Sequence, residues 1–221
     1  MSAAPPALAI FDCDGVLVDS ESISNGVLAE MLGEQGLEMS LAEARARFQG
    51  LLLSEVLASA ERLLGRPLPD GWLEDYVERR GAVFAAELRP VEGAGALVRE
   101  VLSAGIPVCV ASQGSLAKTA RSLALTGLAE LFGPHARFSA EQVPRGKPHP
   151  DLFLYAAASM GAAPADTVVV EDTPSGVTAA RRADMAVYGL AADSDAAALS
   201  AAGAKVVGSL AELLEPLLGR L

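Results

Sequence analysis

Short, largely apolar runs recur along the chain with helix-like sequence between them, and this recurrence restricts the fold more than any other feature. Ala7-Leu8-Ala9-Ile10-Phe11 is the first, followed by Pro107 to Ala111, Thr167 to Val170, Met185 to Leu190 and Lys205 to Val207. The first is apolar at every position rather than at alternate ones. That suits a strand covered on both faces, as in parallel sheets flanked by helices. Strands alternating with helices predict an α/β fold with a doubly wound, Rossmann-like parallel sheet. The helices between them have legible ends. Leu97, Val98, Val101 and Leu102 form an apolar stripe closed by Gly105, and Leu152, Phe153, Ala156 and Met160 form another, opened by Pro150 and closed by Gly161.

The alternation fails from about Ser20 to Leu88. Helical periodicity replaces it: Val27, Leu28, Met31 and Leu32; then Leu53, Val56, Leu57, Ala60, Leu63 and Leu64; then Leu73, Tyr76, Val77, Val83 and Phe84. Ser40 with Glu43 reads as a capping box, and Pro67, Pro69 and Gly71 mark a turn. The expectation is an all-helical insertion of about four helices over residues 20–88, set into an α/β core made of 1–19 and 89–221.

At 221 residues, 51% hydrophobic and 20% charged, the chain has enough apolar material for a substantial core. Its net charge of -11 disfavours nucleic acid and anionic membrane surfaces, whose phosphates such a field repels. A phosphate ester meets the same field, so a site for one needs local positive charge from a metal or a placed cation. Lysine is scarce: Lys118, Lys147 and Lys205 are the three, which makes each position informative. No signal-peptide pattern and no apolar run of the ~20 residues a membrane span requires are visible, so a cytoplasmic protein is expected, and a monomer. Cys13 and Cys109 sit in apolar runs and read as buried free thiols.

Acidic residues stand where strands end. Asp12 and Asp14 follow the first run, Glu171 and Asp172 follow the Thr167 to Val170 run, and Ser112 follows the Pro107 to Ala111 run. Ligands of open α/β sheets bind at the carboxyl ends of strands. If these strands are neighbours, four carboxylates and a hydroxyl converge. Two like charges ~4 Å apart repel by about 4 kcal/mol at a surface-like dielectric, and a hard, oxygen-seeking cation such as Mg²⁺ relieves this. Lys147, stiffened by Pro148 and Pro150, supplies a second cation. Asp19, before the insertion, reads as a helix N-cap. His135 and His149 offer no zinc-like spacing and read as structural or solvent-facing.

These residues resemble the four motifs of haloacid dehalogenase-like hydrolases, in order: Phe11-Asp12-Cys13-Asp14-Gly15-Val16-Leu17-Val18-Asp19-Ser20, Val110-Ala111-Ser112-Gln113-Gly114, Gly146-Lys147-Pro148, and Val170-Glu171-Asp172-Thr173-Pro174-Ser175-Gly176. The helical insertion stands where that family places its cap domain, and the resemblance spans nearly the whole chain. It implies a Mg²⁺-dependent phosphatase acting on a small phosphorylated metabolite. Asp12 is the implied nucleophile and forms an aspartyl-phosphate. Asp14 is the implied acid and base, which asks it to hold a proton near neutral pH although a free Asp has a pKa of about 3.9. Ser112, Gln113 and Lys147 are implied to bind the phosphoryl group, and Asp12, Asp14 (through its carbonyl), Glu171 and Asp172 to surround the metal. Gln49 and Gly50 are candidates for cap-loop contacts with the rest of the substrate.

Asp14 argues against dehalogenase chemistry, whose enzymes lack that acid, and a cap without lysine argues against phosphonate hydrolysis. The segments Arg47-Phe48-Gln49-Gly50, Val91-Glu92-Gly93-Ala94-Gly95-Ala96-Leu97 and Ser112-Gln113-Gly114 are similar to those of bacterial sugar-phosphate phosphatases, including those acting on 6-phosphogluconate. The alternative is a β-phosphoglucomutase-type mutase. Such enzymes carry an arginine in a cap loop, where this chain has Leu51-Leu52-Leu53, with Arg45 and Arg47 just before it. A non-catalytic binding module on the same scaffold is a third reading, disfavoured because Asp12, Asp14, Ser112, Lys147 and Asp172 are all present.

Overall fold

The structure is a computed structural model that describes residues 4–48, 51 and 53–219. The expected parallel sheet is present, with six strands rather than five: β1 (Leu8–Phe11), β2 (Val108–Ser112), β3 (Arg137–Ser139), β4 (Thr167–Glu171), β5 (Ala186–Leu190) and β6 (Lys205–Val207). Their order is β3-β2-β1-β4-β5-β6, and every pairing is parallel. The strand without a sequence signal is β3, whose three residues Arg-Phe-Ser offer a single apolar side chain to any periodicity.

All four residues of β1 are wholly buried, as a centrally placed strand with two covered faces requires. Leu8 and Ile10 face a core with Cys109, Ala111, Val169 and Val187, closed by Leu152, Phe153, Ala156 and Ala157 of α7 (Asp151–Ser159) and by Val177, Ala179 and Ala180 of α8 (Pro174–Arg182). Alternation turns Ala9 and Phe11 to the other face, where Phe11 meets Phe132 edge to face with ring centroids 6.4 Å apart. Helices α5 (Ala94–Ser103) and α6 (Leu116–Leu125) precede and follow β2.

The chain divides into two compact units, residues 19–89 and residues 1–18 with 90–221. The first consists of α1 (Ser20–Glu34), α2 (Leu41–Phe48), α3 (Leu53–Leu64) and α4 (Trp72–Glu87) around Val27, Leu28, Met31, Ala44, Val56, Ala60 and a stacked Trp72–Tyr76 pair. The capping box at the start of α2 is formed. The Glu43 N–H donates to Ser40 Oγ at 3.2 Å, and the Ser40 N–H donates back to Glu43 Oε2 at 2.8 Å. Asp19 stands at the N-cap of α1, but its carboxylate accepts the Ser22 hydroxyl (2.7 Å) rather than a backbone N–H. Ser22 in turn accepts from Arg45. No helix among the described residues is long and apolar enough to cross a membrane.

Candidate active site

Strand order decides where ligand chemistry can occur. The sequence of connections reverses direction between β1 and β4, and this switch point opens a crevice at the carboxyl ends of the two strands. Phe11 pairs with both Val170 and Val110, so the residues that follow, Asp12, Glu171 and Ala111–Ser112, arrive at one level. The Asp12 N–H donates to Val170 O at 2.9 Å, which fixes the nucleophile candidate against β4.

Lys147 reaches this point from the loop before α7. Its ammonium donates to Asp12 Oδ1 and to Glu171 Oε1, the latter at 2.6 Å, and lies over the Phe153 ring. The side chain is only 6% exposed. Burial alone would depress its pKa, but Asp12 and Glu171 outweigh it and hold the ammonium charged well above the ordinary lysine value. Burial has the opposite sign for Asp12. It raises the carboxyl, Lys147 opposes it, and Glu171 and Asp14 add to it, leaving Asp12 at about 7 with no metal bound.

Glu171 is saturated with donors. Besides Lys147 on Oε1, its Oε2 accepts the Asp172 N–H (3.0 Å), the Thr173 N–H (3.0 Å) and the Thr173 hydroxyl (2.9 Å). Gly176, in the first turn of α8, is part of this arrangement because a Cβ there would overlap the Glu171 carboxylate. Asp172 points the other way, toward the turn after β1. Gly15 has φ +81°, and a Cβ on it would lie 2.7 Å from Asp172 Cγ, so the bare Cα makes room for that carboxylate. The turn closes through the Gly15 N–H donating to Val18 O at 2.9 Å.

Ser112 is buried at the end of β2, where its Oγ accepts the Gly114 N–H at 3.0 Å. The loop is held from the far side by β3, whose Ser139 hydroxyl donates to Gly114 O at 2.7 Å. The strand that the sequence pattern missed therefore supports the hydroxyl it predicted. The Gln113 side chain, expected at the phosphoryl group, is engaged with the Lys147 loop. Its Oε1 accepts the Lys147 backbone N–H at 3.0 Å and its amide packs over Gly146, where a Cβ would lie 2.7 Å from Oε1. Gln113 thus ties the Ser112 loop to the Lys147 loop, which also carries a cis Lys147–Pro148 bond.

One site residue had no assigned place in the sequence reading. Lys118, in the first turn of α6, donates to Asp14 Oδ2 at 2.8 Å. Lysine scarcity was the available signal, but nothing in the sequence joins positions 14 and 118. Gln49 and Gly50 lie outside the described residues.

The donors around the β1–β4 crevice are oxygens of Asp12, Asp172 and the Asp14–Gly15 turn, which suit a hard cation rather than zinc or copper. Among the described residues no three His, Cys, Asp or Glu side chains are grouped as a ready metal cage. Carboxylates of this kind fit a hard divalent cation that keeps part of its water shell.

A Rossmann-like sheet with paired acids, a buried lysine and a serine at its switch point, and a helical unit inserted after the first strand, defines a class of group-transfer hydrolases. A family profile described as haloacid dehalogenase-like hydrolase matches residues 6–184, and the chain belongs to that family. It is 33% identical over 184 residues to the 6-phosphogluconate phosphatase of Escherichia coli, covering 83% of this chain and 81% of that protein. It is 28% identical to the hexitol phosphatase A of the same organism, covering 84% and 83%. A solved hydrolase of the family from Deinococcus radiodurans, with bound phosphate and sodium, superposes with a TM-score of 0.86 at 35% identity over 97% of this chain and 96% of that one. A structure described as a putative β-phosphoglucomutase from Thermotoga maritima gives 0.81 at 26% identity over 97% and 99%. The chain is therefore a hydrolase of a family among whose named relatives are phosphatases.

Proposed function

We propose that this protein is a Mg²⁺-dependent phosphatase of a small sugar phosphate or phosphosugar acid, working through an aspartyl-phosphate on Asp12. The observation that carries the reading is the buried Lys147 ammonium held between Asp12 and Glu171, beside the Ser112 loop. A fixed, desolvated cation next to a carboxylate is the preorganised charge that a phosphoryl transition state needs, and a solvated surface lysine is not.

In this mechanism Lys147 and Ser112 hold the phosphoryl oxygens and orient phosphorus toward Asp12. Asp12 attacks, the bond to the ester oxygen breaks, and Asp14 hands its proton to that leaving oxygen. Asp14 then takes a proton from the water that attacks the aspartyl-phosphate, releasing inorganic phosphate and restoring Asp12. Asp12, Asp172 and the Asp14 carbonyl are the residues that would hold Mg²⁺, whose charge neutralises the phosphoryl group and keeps Asp12 ionised. With four donors already on its carboxylate, Glu171 serves as the anchor of Lys147 and stands outside the direct metal shell. Gln113 acts on the loops rather than on phosphate. The helical unit takes the role of the cap in this reading, the part of the chain that selects the organic group. Its Arg45 is engaged with Ser22, which speaks for hydrolysis over the second phosphate site a mutase requires.

The test is phosphate release from a panel that includes 6-phosphogluconate, hexitol phosphates and β-glucose 1-phosphate, with Mg²⁺ and with chelator. Mg²⁺-dependent release is expected. Conversion of β-glucose 1-phosphate to glucose 6-phosphate with a bisphosphate primer, without net phosphate release, would make the protein a mutase instead.

A further inference from the structure

We propose that Lys118 is a positioning residue for Asp14, aiming its carboxyl group at the leaving oxygen; this rests on the reading of Asp14 as the acid and base. Lys118 sits where a lysine is electrostatically misplaced. It occupies the first turn of α6, and the N-terminal end of a helix favours anions and disfavours cations. One of three lysines in a 221-residue chain is nevertheless placed there.

The surroundings are shaped for it. Ser115, the N-cap of α6, accepts the Lys118 backbone N–H at 3.1 Å and so sets the start of the helix beneath it. The aliphatic stem runs over Gly114, where a Cβ would lie 3.1 Å from Lys118 Cδ and 3.4 Å from Ser112 Oγ. A side chain at 114 would thus press on both the stem and the phosphate-binding hydroxyl. The ammonium then meets Asp14 Oδ2 at 2.8 Å, with the two side chains 31% and 18% exposed.

Asp14 is held at both ends as a result. Its backbone belongs to the turn closed by Gly15 and Val18, and one carboxylate oxygen is fixed by Lys118. With the backbone and one oxygen placed, the direction of the other oxygen follows. That placement is what proton delivery to a leaving group requires. A partly exposed ion pair contributes little to stability as such, so the value of this one lies in where it puts Asp14.

The experiment compares Lys118→Met, which keeps the stem and removes the charge, with Lys118→Arg and Asp14→Asn. Two probes are used: p-nitrophenyl phosphate, whose leaving group needs little protonation, and a simple alkyl phosphate, whose alkoxide needs it. Positioning of the acid predicts that Lys118→Met lowers kcat roughly tenfold or more on the alkyl ester and at most about threefold on the aryl ester. Lys118→Arg should recover most of the difference, with thermal midpoints close to wild type. Equal losses on both esters, or none on either, would overturn the inference while leaving the phosphatase reading intact. If Asp14→Asn itself shows no dependence on the leaving group, the acid assignment fails and takes this inference with it.

Discussion

Replacing Gly176 with alanine sets two effects of opposite sign against each other. Alanine inside a helix is favoured over glycine by up to about 1 kcal/mol, so on propensity alone the variant gains stability. The site reverses the sign. The new Cβ overlaps the Glu171 carboxylate, which is 1% exposed and accepts from Lys147, the Asp172 and Thr173 N–H groups and the Thr173 hydroxyl. Hydrogen bonds to a charged group contribute about 1.5–3 kcal/mol each. Displacing the carboxylate far enough to clear a methyl group breaks at least two of them, a loss of about 3–6 kcal/mol, and the net is a destabilisation of about 2–5 kcal/mol. For a chain of this length that is a fall in thermal midpoint of about 4–20 °C. The same movement releases one of the two anchors of Lys147, and a shift of about 1 Å at such a group costs on the order of a hundredfold in turnover. Calorimetric unfolding and kcat on a released-phosphate assay read both. A Gly176→Ala protein at least as stable as wild type with unaltered turnover would refute the assignment of Glu171 as a pinned anchor.

The same added methyl at Gly146 should behave differently. The group it meets is the exposed end of Gln113, which can swing into water, so stability changes by less than about 1 kcal/mol while kcat falls a few-fold as the Lys147 loop loosens. Asp12→Asn is nearly isosteric and should abolish turnover with the cooperative unfolding transition retained, since amide nitrogen is no nucleophile; wild-type-like turnover in a folded mutant contradicts the nucleophile assignment. Because burial raises Asp12 to about 7 without metal, a cation must displace a proton below that pH. Mg²⁺ affinity by calorimetry should therefore be level above about pH 7 and fall about tenfold per unit below it. In chelator the sign is reversed for folding. The folded Asp12 holds its proton where the unfolded one has lost it, so this group's contribution to stability declines as pH rises from about 4 to about 7. Burial also pushes the Cys13 and Cys109 thiols up, and neither should react with iodoacetamide at pH 8 before unfolding.

Much of the protein could be read from its residues in order. Continuous apolar runs reveal doubly covered strands because burial on two faces removes the alternation that water would impose, and five of six strands were legible this way. The helical insertion was legible because 3.6-residue periodicity and a Ser40–Glu43 capping box are local properties. Asp12, Ser112 and Glu171–Asp172 declared themselves by following strands directly. The order β3-β2-β1-β4-β5-β6 was not legible, because pairing of parallel strands is decided by contacts across long crossovers. That order alone brings the acid after β1 beside the acids after β4. It also decides what each side chain does on arrival. Glu171 spends its oxygens on Lys147 and its own loop, Gln113 turns to the Lys147 backbone, and Lys118 reaches Asp14 across 104 residues. Residue type and spacing specify which groups are available, but hydrogen bonds and ion pairs act within about 3 Å, and only the tertiary structure sets which groups come that close.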